Sequence, residues 1–274
     1  MLKTINNMND ITIIIPVHKF DEKIKELLND ALESIKTNQE NYTFGKLIPL
    51  IVGTNNVLEE IGESFGENNF YHACRNTGET DFCSQVNFAA KKVDTQYFSI
   101  LEFDDTYSDN WFKMAHDYYF TNESVSLFLP INILTDTEHK QFQYVNEITW
   151  SGSFSNEIGF LDYDCLQDYS SFNLTGGIFN TEDFKKIGMF KPSIKVAFNY
   201  ELLLRMTKKE LKVYVVPKEG YTHVIGREDS LTDEYNKTLT NEEIRKWFDL
   251  AKIECVFTED RKTNIEKIKN EELK

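Results

Sequence analysis

Apolar positions along this chain form short unbroken runs, separated by stretches in which they recur at helical spacing. Ile11-Thr12-Ile13-Ile14-Ile15 is a β-branched run closed by Pro16, the pattern of a strand buried on both faces of a sheet. Ile24, Leu27, Leu28, Ala31 and Ile35 then share one helical face. Leu47-Ile48-Pro49-Leu50-Ile51-Val52 predicts a second strand, and Pro49, which donates no ladder bond, implies an edge or bulged position. Phe82, Val86, Ala89 and Val93 repeat at helical spacing and lead into a third run, Tyr97-Phe98-Ser99-Ile100-Leu101. This β-α-β-α-β order predicts a parallel sheet with right-handed crossovers.

The second half is less regular. Residues 125–134 contain an apolar strand, and residues 142–170 are rich in Ser, Asn, Asp and aromatics. That composition suits a ligand-facing wall or a plain surface loop. Asn180 is expected to cap a short helix that runs to Ile187 and stops at Gly188, and Asn199 to cap another that turns Leu202, Leu203 and Met206 inward. Leu211-Lys212-Val213-Tyr214-Val215-Val216 reads as a strand. From Asn241, Glu242 and Glu243 occupy a first turn, followed by Ile244, Trp247, Phe248, Ala251 and Cys255 on one face. The charged last dozen residues are expected to fray. With no repeat or low-complexity linker, the chain divides most simply into one domain over 1–240 and a C-terminal helical extension, 241–274, packed on it.

Composition narrows the function classes. The 274 residues, 41% hydrophobic and 14% aromatic, suffice for a sizeable globular core. A net charge of −15 argues against a broad nucleic-acid-binding face, so a nucleic-acid partner is disfavoured. An anionic ligand remains compatible if a metal ion supplies positive charge. No apolar leader follows Met1, and no run reaches the ~18 apolar residues of a spanning helix, so the expectation is a soluble, cytoplasmic protein. Cys74, Cys83, Cys165 and Cys255 are dispersed without a C-x-x-C pair, which indicates neither a zinc site nor a disulfide framework.

The candidate chemistry lies where the third run ends, at Glu102-Phe103-Asp104-Asp105. Three carboxylates at the exit of a buried strand repel one another, and a divalent cation relieves that repulsion. On a sheet edge where ligands bind, this pattern reads as a metal–diphosphate site, against the alternative of a solvated acidic turn. His223 is either a ligand completing such a site or an ordinary loop histidine; His18 is either a nucleotide contact or a surface residue. Asp162-Tyr163-Asp164 also spells Asp-x-Asp, but no clear buried strand delivers it, so a solvated loop is the simpler reading. Trp111, Phe112, Tyr118, Tyr119 and Phe120 read as core. The chain lacks G-x-x-x-x-G-K-[ST], and no G-x-G-x-x-G turn follows the first strand, which disfavours phosphate-loop ATPases and dinucleotide dehydrogenases.

In ordered blocks from about Ile11 to Ser230, the chain resembles the family-two inverting nucleotide-sugar glycosyltransferases of the A-type (GT-A) fold. Ile13-Ile14-Ile15-Pro16-Val17-His18 looks like that family's first strand and nucleotide-contacting turn. Gly53-Thr54-Asn55-Asn56 stands where members carry Asp-Asp-Gly-Ser, and Asn76-Thr77-Gly78 with Gln85 and Asn87 is similar to the Asn-x-Gly segment and helical Arg-Asn pair. Glu102-Phe103-Asp104-Asp105 matches the Asp-x-Asp-Asp metal block. Gly176-Gly177-Ile178-Phe179 and Ile187-Gly188-Met189-Phe190 look like the acceptor-side segment. The family's acceptor-side Glu-Asp pair falls here on Phe198 and Asn199, so the nearest carboxylate, Glu201 before Arg205, is expected as the base.

The resemblance implies an α/β fold: a single Rossmann-like GT-A domain with a mostly parallel central sheet flanked by helices, plus a C-terminal helix. It implies transfer of a sugar from a nucleoside diphosphate, a UDP-sugar first, to a glycan or other acceptor hydroxyl with inversion. Asp104, Asp105 and His223 would hold Mn²⁺ or Mg²⁺; Pro16, His18, Thr54, Asn76, Gln85, Asp104 and Arg227 would contact the nucleotide. A general base such as Glu201 is typically worth ~10²–10⁴ in rate. The rivals are a nucleotidyltransferase on a related sheet, disfavoured because Pro16-Val17-His18-Lys19-Phe20 lacks glycine, and a degenerate nucleotide- or sugar-binding module.

Overall fold

A computed structural model describes residues 9–66, 70–76, 78–227, 230, 235 and 237–258. Thr77 and the C-terminal tail expected to fray lie outside the described residues. The elements run β1 (Ile11–Pro16), α1 (Glu22–Asn41), β2 (Leu47–Gly53), α2 (Asn55–Phe65), β3 (His72–Arg75), α3 (Phe82–Ala90) and β4 (Tyr97–Ile100). Then come β5 (Thr106–Tyr107), α4 (Trp111–Thr121), β6 (Val125–Thr135), β7 (Gln141–Val145), β8 (Phe160–Leu161) and α5 (Tyr163–Asp168). The last are β9 (Ile178–Asn180), α6 (Thr181–Lys186), α7 (Phe198–Lys208), β10 (Lys212–Val224) and α8 (Asn241–Glu254).

One sheet has the order β3-β2-β1-β4-β9-β6-β10-β5, with β7 added to β6 and β8 to β10. β3, β2, β1 and β4 are mutually parallel, as are β6 and β10; β9 is antiparallel to both β4 and β6 and joins the two groups in one common direction. Alternate residues of β1 show why its run is unbroken. Ile11, Ile13 and Ile15 enter a core covered by α1, α2 and α4, whereas Ile14 enters the opposite core with α3, α7 and α8. Ala251 and Cys255 of the C-terminal helix belong to that second core, and Phe248 packs on Tyr200 of α7.

Four expectations change. β2 lies between β1 and β3, not at an edge; however, β3 begins opposite Leu50, so Pro49 pairs only with Ile13 of β1. Asn199 does not cap α7: Ala197 does, and Asn199 sits within the first turn. The strand expected to stop at Val216 continues as β10 to Val224, because register shifts between Val215 and Glu219 accommodate Pro217 as a bulge. His223 is therefore strand-borne and not a loop residue. α2 and β3 had no sequence expectation. Only Cys74 of β3 is buried, so no apolar run marks that strand.

Other local signals act as the sequence implies. Asn180 caps α6 through Asp183 N, and Gly188 follows at φ +96°. Thr240 and Glu243 form a capping box at α8. Asp162-Tyr163-Asp164, by contrast, is not the expected loop: Asp162 caps α5, and the other two residues form its first turn. Trp111, Phe112 and Tyr119 are core residues, while Phe120 is 59% exposed. No described helix is long and apolar enough to cross a membrane.

Candidate active site

β1, β4 and β10 deliver their carboxyl ends to one edge of the sheet, the edge at which open α/β sheets bind ligands. β4 stops at Ile100; Leu101 N still bonds Ile14 O at 3.0 Å, and Asp105 N then bonds Glu102 O at 3.1 Å to close a tight turn. β5 follows at once and pairs with Tyr221 and Thr222 of β10. The acidic turn is thus clamped between two strands.

Asp105 is 1% exposed and fully partnered. Its Oδ2 accepts from Tyr221 Oη at 2.9 Å and lies 2.7 Å from His223 Nδ1, while Oδ1 accepts from Val224 N at 2.9 Å. Tyr221 Oη also accepts from Glu102 N at 3.1 Å, so one buried hydroxyl ties both ends of the turn. Tyr221 is held in turn by Gly176. This residue has φ +77°, and a Cβ there would meet the Tyr221 ring at 2.5 Å. Gly176 N bonds Ile100 O at 2.8 Å, and its carbonyl accepts from Trp111 Nε1 at 2.9 Å.

Ligating atoms of Glu102, Asp105 and His223 all lie within 4.8 Å of one another. Their electrostatics register the crowding. Burial, then the Asp105 and Asp104 charges, push Glu102 up to about 8, against the pull of His223 and Arg227. Burial and Asp105 raise Asp104 to about 6, partly offset by Arg227 and His223. For His223 burial works downward, but the Asp105 charge and hydrogen bond, with Glu102 and Asp104, outweigh it and raise it to about 9. A carboxylate–imidazole set this close, whose carboxyl groups are raised by burial and mutual repulsion, could hold a hard divalent cation.

The cluster differs from the expected ligand set in one member. Asp104 does not join it: Asp104 Oδ2 pairs with Arg227 Nη2 at 2.7 Å. Glu102, the first carboxylate of the acidic block, takes its place. Arg227 also lies 5.1 Å over the Phe103 ring, and the exposed His18 is 5.6 Å from the same ring. Partial desolvation of the imidazole ring, then the Lys19 and Arg227 charges, lower the His18 pKa. His18, Phe103, Asp104 and Arg227 are therefore brought together.

Of the other expected nucleotide residues, Pro16, Thr54 and Asn76 stand at the carboxyl ends of β1, β2 and β3, and Gln85 lies on α3. Pro16 is buried opposite Val52, and Val17 N bonds Val52 O at 2.9 Å. Thr54 stands before α2, half-buried, with no side-chain cap bond. Asn76 shapes its own loop, accepting from Gly78 N at 2.8 Å and donating to Glu79 O at 2.9 Å. Gln85 is buried; its Nε2 donates to Thr80 O at 3.0 Å, and its Oε1 has no partner among the described residues. Asn87 instead fastens α3 to the 187–190 segment, bonding Phe190 O at 2.8 Å and Phe190 N at 3.0 Å.

Glu201, the expected base, is enclosed by two cations. It is 0% exposed; Oε1 accepts from Lys191 Nζ at 2.9 Å and Arg205 Nε at 3.0 Å, and Oε2 from Arg205 Nη2 at 2.9 Å. Arg205 also donates to the Ile187 and Met189 carbonyls, and Lys191 to the Glu254 carbonyl. Glu201 anchors the 187–191 segment and the end of α8 to α7. Its i,i+4 spacing to Arg205, a helical ion-pair signal, was visible in the sequence.

No family model matches the chain. A curated relative, an uncharacterised glycosyltransferase of Rickettsia typhi, is 26% identical over 213 residues, covering 72% of this chain and 58% of its own length. The chain thus spans less than two thirds of that relative. Among solved structures, S. aureus TarS 1-349 in complex with UDP superposes with a TM-score of 0.54 at 12% identity, over 87% of this chain and 69% of TarS. The same TarS fragment in complex with UDP-GlcNAc gives 0.54 at 12% identity, over 92% and 74%. The fold is therefore that of the GT-A-type glycosyltransferases, as the sequence resemblance implied.

Proposed function

We propose that the protein is a nucleotide-sugar glycosyltransferase that takes a UDP-sugar donor at the carboxyl edge of its sheet. The observation that carries this reading is the Glu102–Asp105–His223 cluster, whose ligating atoms lie within 4.8 Å at the exit of β4. A fold shared with a protein solved in complex with UDP and UDP-GlcNAc supports the choice of donor. Glu102, Asp105 and His223 would hold Mn²⁺ or Mg²⁺, which when bound offsets charge developing on the leaving diphosphate.

The chain's own residues do the remaining work. Tyr221 Oη and Val224 N fix the Asp105 carboxylate, so little reorganisation is needed as the donor arrives. His223 Nδ1 lies 2.7 Å from Asp105 Oδ2, a contact that orients the imidazole, and only its neutral form could ligate a cation. His18 and Arg227 both lie against the Phe103 ring beside the acidic turn, where they could contact a bound nucleotide. Transfer with inversion to an acceptor hydroxyl is the reaction that the sequence resemblance implies. A nucleic-acid acceptor stays disfavoured by the charge of −15.

One observation favours a second reading. Asn199 stands at the family's acceptor-side Asp position, and Glu201 is sealed in an ion triad. A module that binds the donor without transferring the sugar follows from that loss. The test is isothermal titration of UDP with and without Mn²⁺, followed by incubation with UDP-, GDP-, CMP- and dTDP-sugars. Mn²⁺-dependent UDP binding with release of UDP from a UDP-sugar supports the transferase. The same binding with no turnover of any donor supports the module, and no metal-dependent binding removes both.

A further inference from the structure

Asp104 stays outside the metal cluster because its carboxylate is already committed. Its pair with Arg227 is tightly enclosed: the two side chains are 10% and 11% exposed. The guanidinium lies over Phe103, the residue between Glu102 and Asp104, so Arg227 runs along the acidic turn itself. For an arginine this is an incomplete seat. One Nη reaches one carboxylate oxygen, and Nε is buried with no partner among the described residues. A guanidinium offers a rigid fork of donors suited to two oxygens at once, which a diphosphate supplies and this arrangement does not.

Resting on the donor-site reading above, we propose that Arg227 is a displaceable stand-in cation. In the absence of donor it neutralises the acidic turn through Asp104, and a diphosphate draws it away. The site then takes a divalent cation and a diphosphate together and holds the free ion poorly. The physical reason is competition for charge. A divalent cation beside Asp105 and a guanidinium on Asp104 repel across neighbouring residues in a partly buried setting, where screening is weak. A diphosphate reverses the relation: its anionic oxygens attract both cations, so each ligand raises the affinity for the other by the same factor.

The consequence is a pair of effects of opposite sign from one substitution. Arg227→Gln removes the competitor, so Mn²⁺ alone binds more tightly. It also removes a phosphate contact, so UDP at saturating Mn²⁺ binds more weakly. A side chain that only supports the fold would weaken both.

The experiment titrates the full chain with Mn²⁺, following free ion by electron paramagnetic resonance, alone and with saturating UDP or inorganic pyrophosphate. Wild type, Arg227→Gln and Arg227→Lys are compared at one pH and ionic strength, with circular dichroism melts to verify folding. In wild type, UDP and pyrophosphate should each raise Mn²⁺ affinity about tenfold or more. In Arg227→Gln, Mn²⁺ alone should bind about fivefold tighter and the enhancement should largely vanish. Arg227→Lys, which keeps the charge but loses the fork, should leave Mn²⁺ affinity near wild type and reduce the enhancement. Should Arg227→Gln misfold, the lysine variant alone decides through that reduced enhancement. Unchanged or weaker binding of Mn²⁺ alone to folded Arg227→Gln, or an enhancement equal to wild type in either variant, overturns this inference and leaves the donor site standing. Absence of Mn²⁺ binding to wild type under every condition overturns the donor-site reading as well.

Discussion

Replacing Glu201 by Gln separates the structural role from the catalytic one, because the two roles predict losses in different quantities. The carboxylate accepts three contacts of 2.9–3.0 Å from two cations, and all three side chains are at most 1% exposed. Glutamine keeps the shape but removes the negative charge, and it turns an amide NH₂ toward a donor on Lys191 or Arg205. Breaking a buried ion pair by removing one partner typically costs ~3–5 kcal/mol. Here the stranded cations keep the carbonyls of Ile187, Met189 and Glu254, which puts the expected loss at the lower end, about 3 kcal/mol. For a chain of this size that corresponds to a melting temperature lower by about 6–12 °C.

Thermal and urea melts measure the loss directly. At a temperature where the variant is still folded, its Mn²⁺-dependent UDP binding should match wild type. Joint replacement of Lys191, Glu201 and Arg205 by Met should recover much of the stability, since no uncompensated charge then stays buried. A Glu201→Gln protein that melts within about 2 °C of wild type yet transfers no sugar would refute this reasoning, and would return the base role to Glu201.

Three further outcomes follow from the site. Asp105→Ala should abolish Mn²⁺-dependent UDP binding in calorimetry and also lower the melting temperature, because Tyr221 Oη and Val224 N lose their acceptor; retained metal-dependent binding would move the site elsewhere. Mn²⁺ affinity should rise steadily from pH 6 to pH 9: ligation needs Glu102 ionised and His223 neutral, and with these groups near 8 and 9 binding must expel protons below those values. An affinity that is flat or falls over that range would exclude the pair as ligands. Gly176→Ala should cost ~2–4 kcal/mol in urea melts, from the clash with Tyr221 and the left-handed backbone at φ +77°, and weaken Mn²⁺ binding through Asp105; wild-type behaviour would show that Tyr221 can yield.

What the sequence revealed and what it hid divide along physical lines. β1 and β4 were legible because burial on both faces writes an unbroken apolar run, and the acidic block was legible because charges at the end of such a run are costly without a purpose. β3 left no trace, since an edge strand with one buried residue needs no apolar pattern. Pro217 hid the second half of β10: a proline normally ends a strand, and only the sheet's register shows that a bulge absorbs it. That single misreading made His223 look like a loop residue, when β10 carries it directly onto Asp105. Glu201 shows the other limit. A carboxylate near a helix start looks the same in sequence whether it serves an acceptor or an ion pair; Arg205 on the next turn hinted at the pair, but Lys191 becomes its neighbour only through the fold. The chemistry of this edge is thus written locally in residues 102–105 and completed by partners from β10 and the segment after it. Tyr221, His223 and Val224 hold Asp105 in place, and Arg227 pairs with Asp104, so each carboxylate of the turn has a different setting.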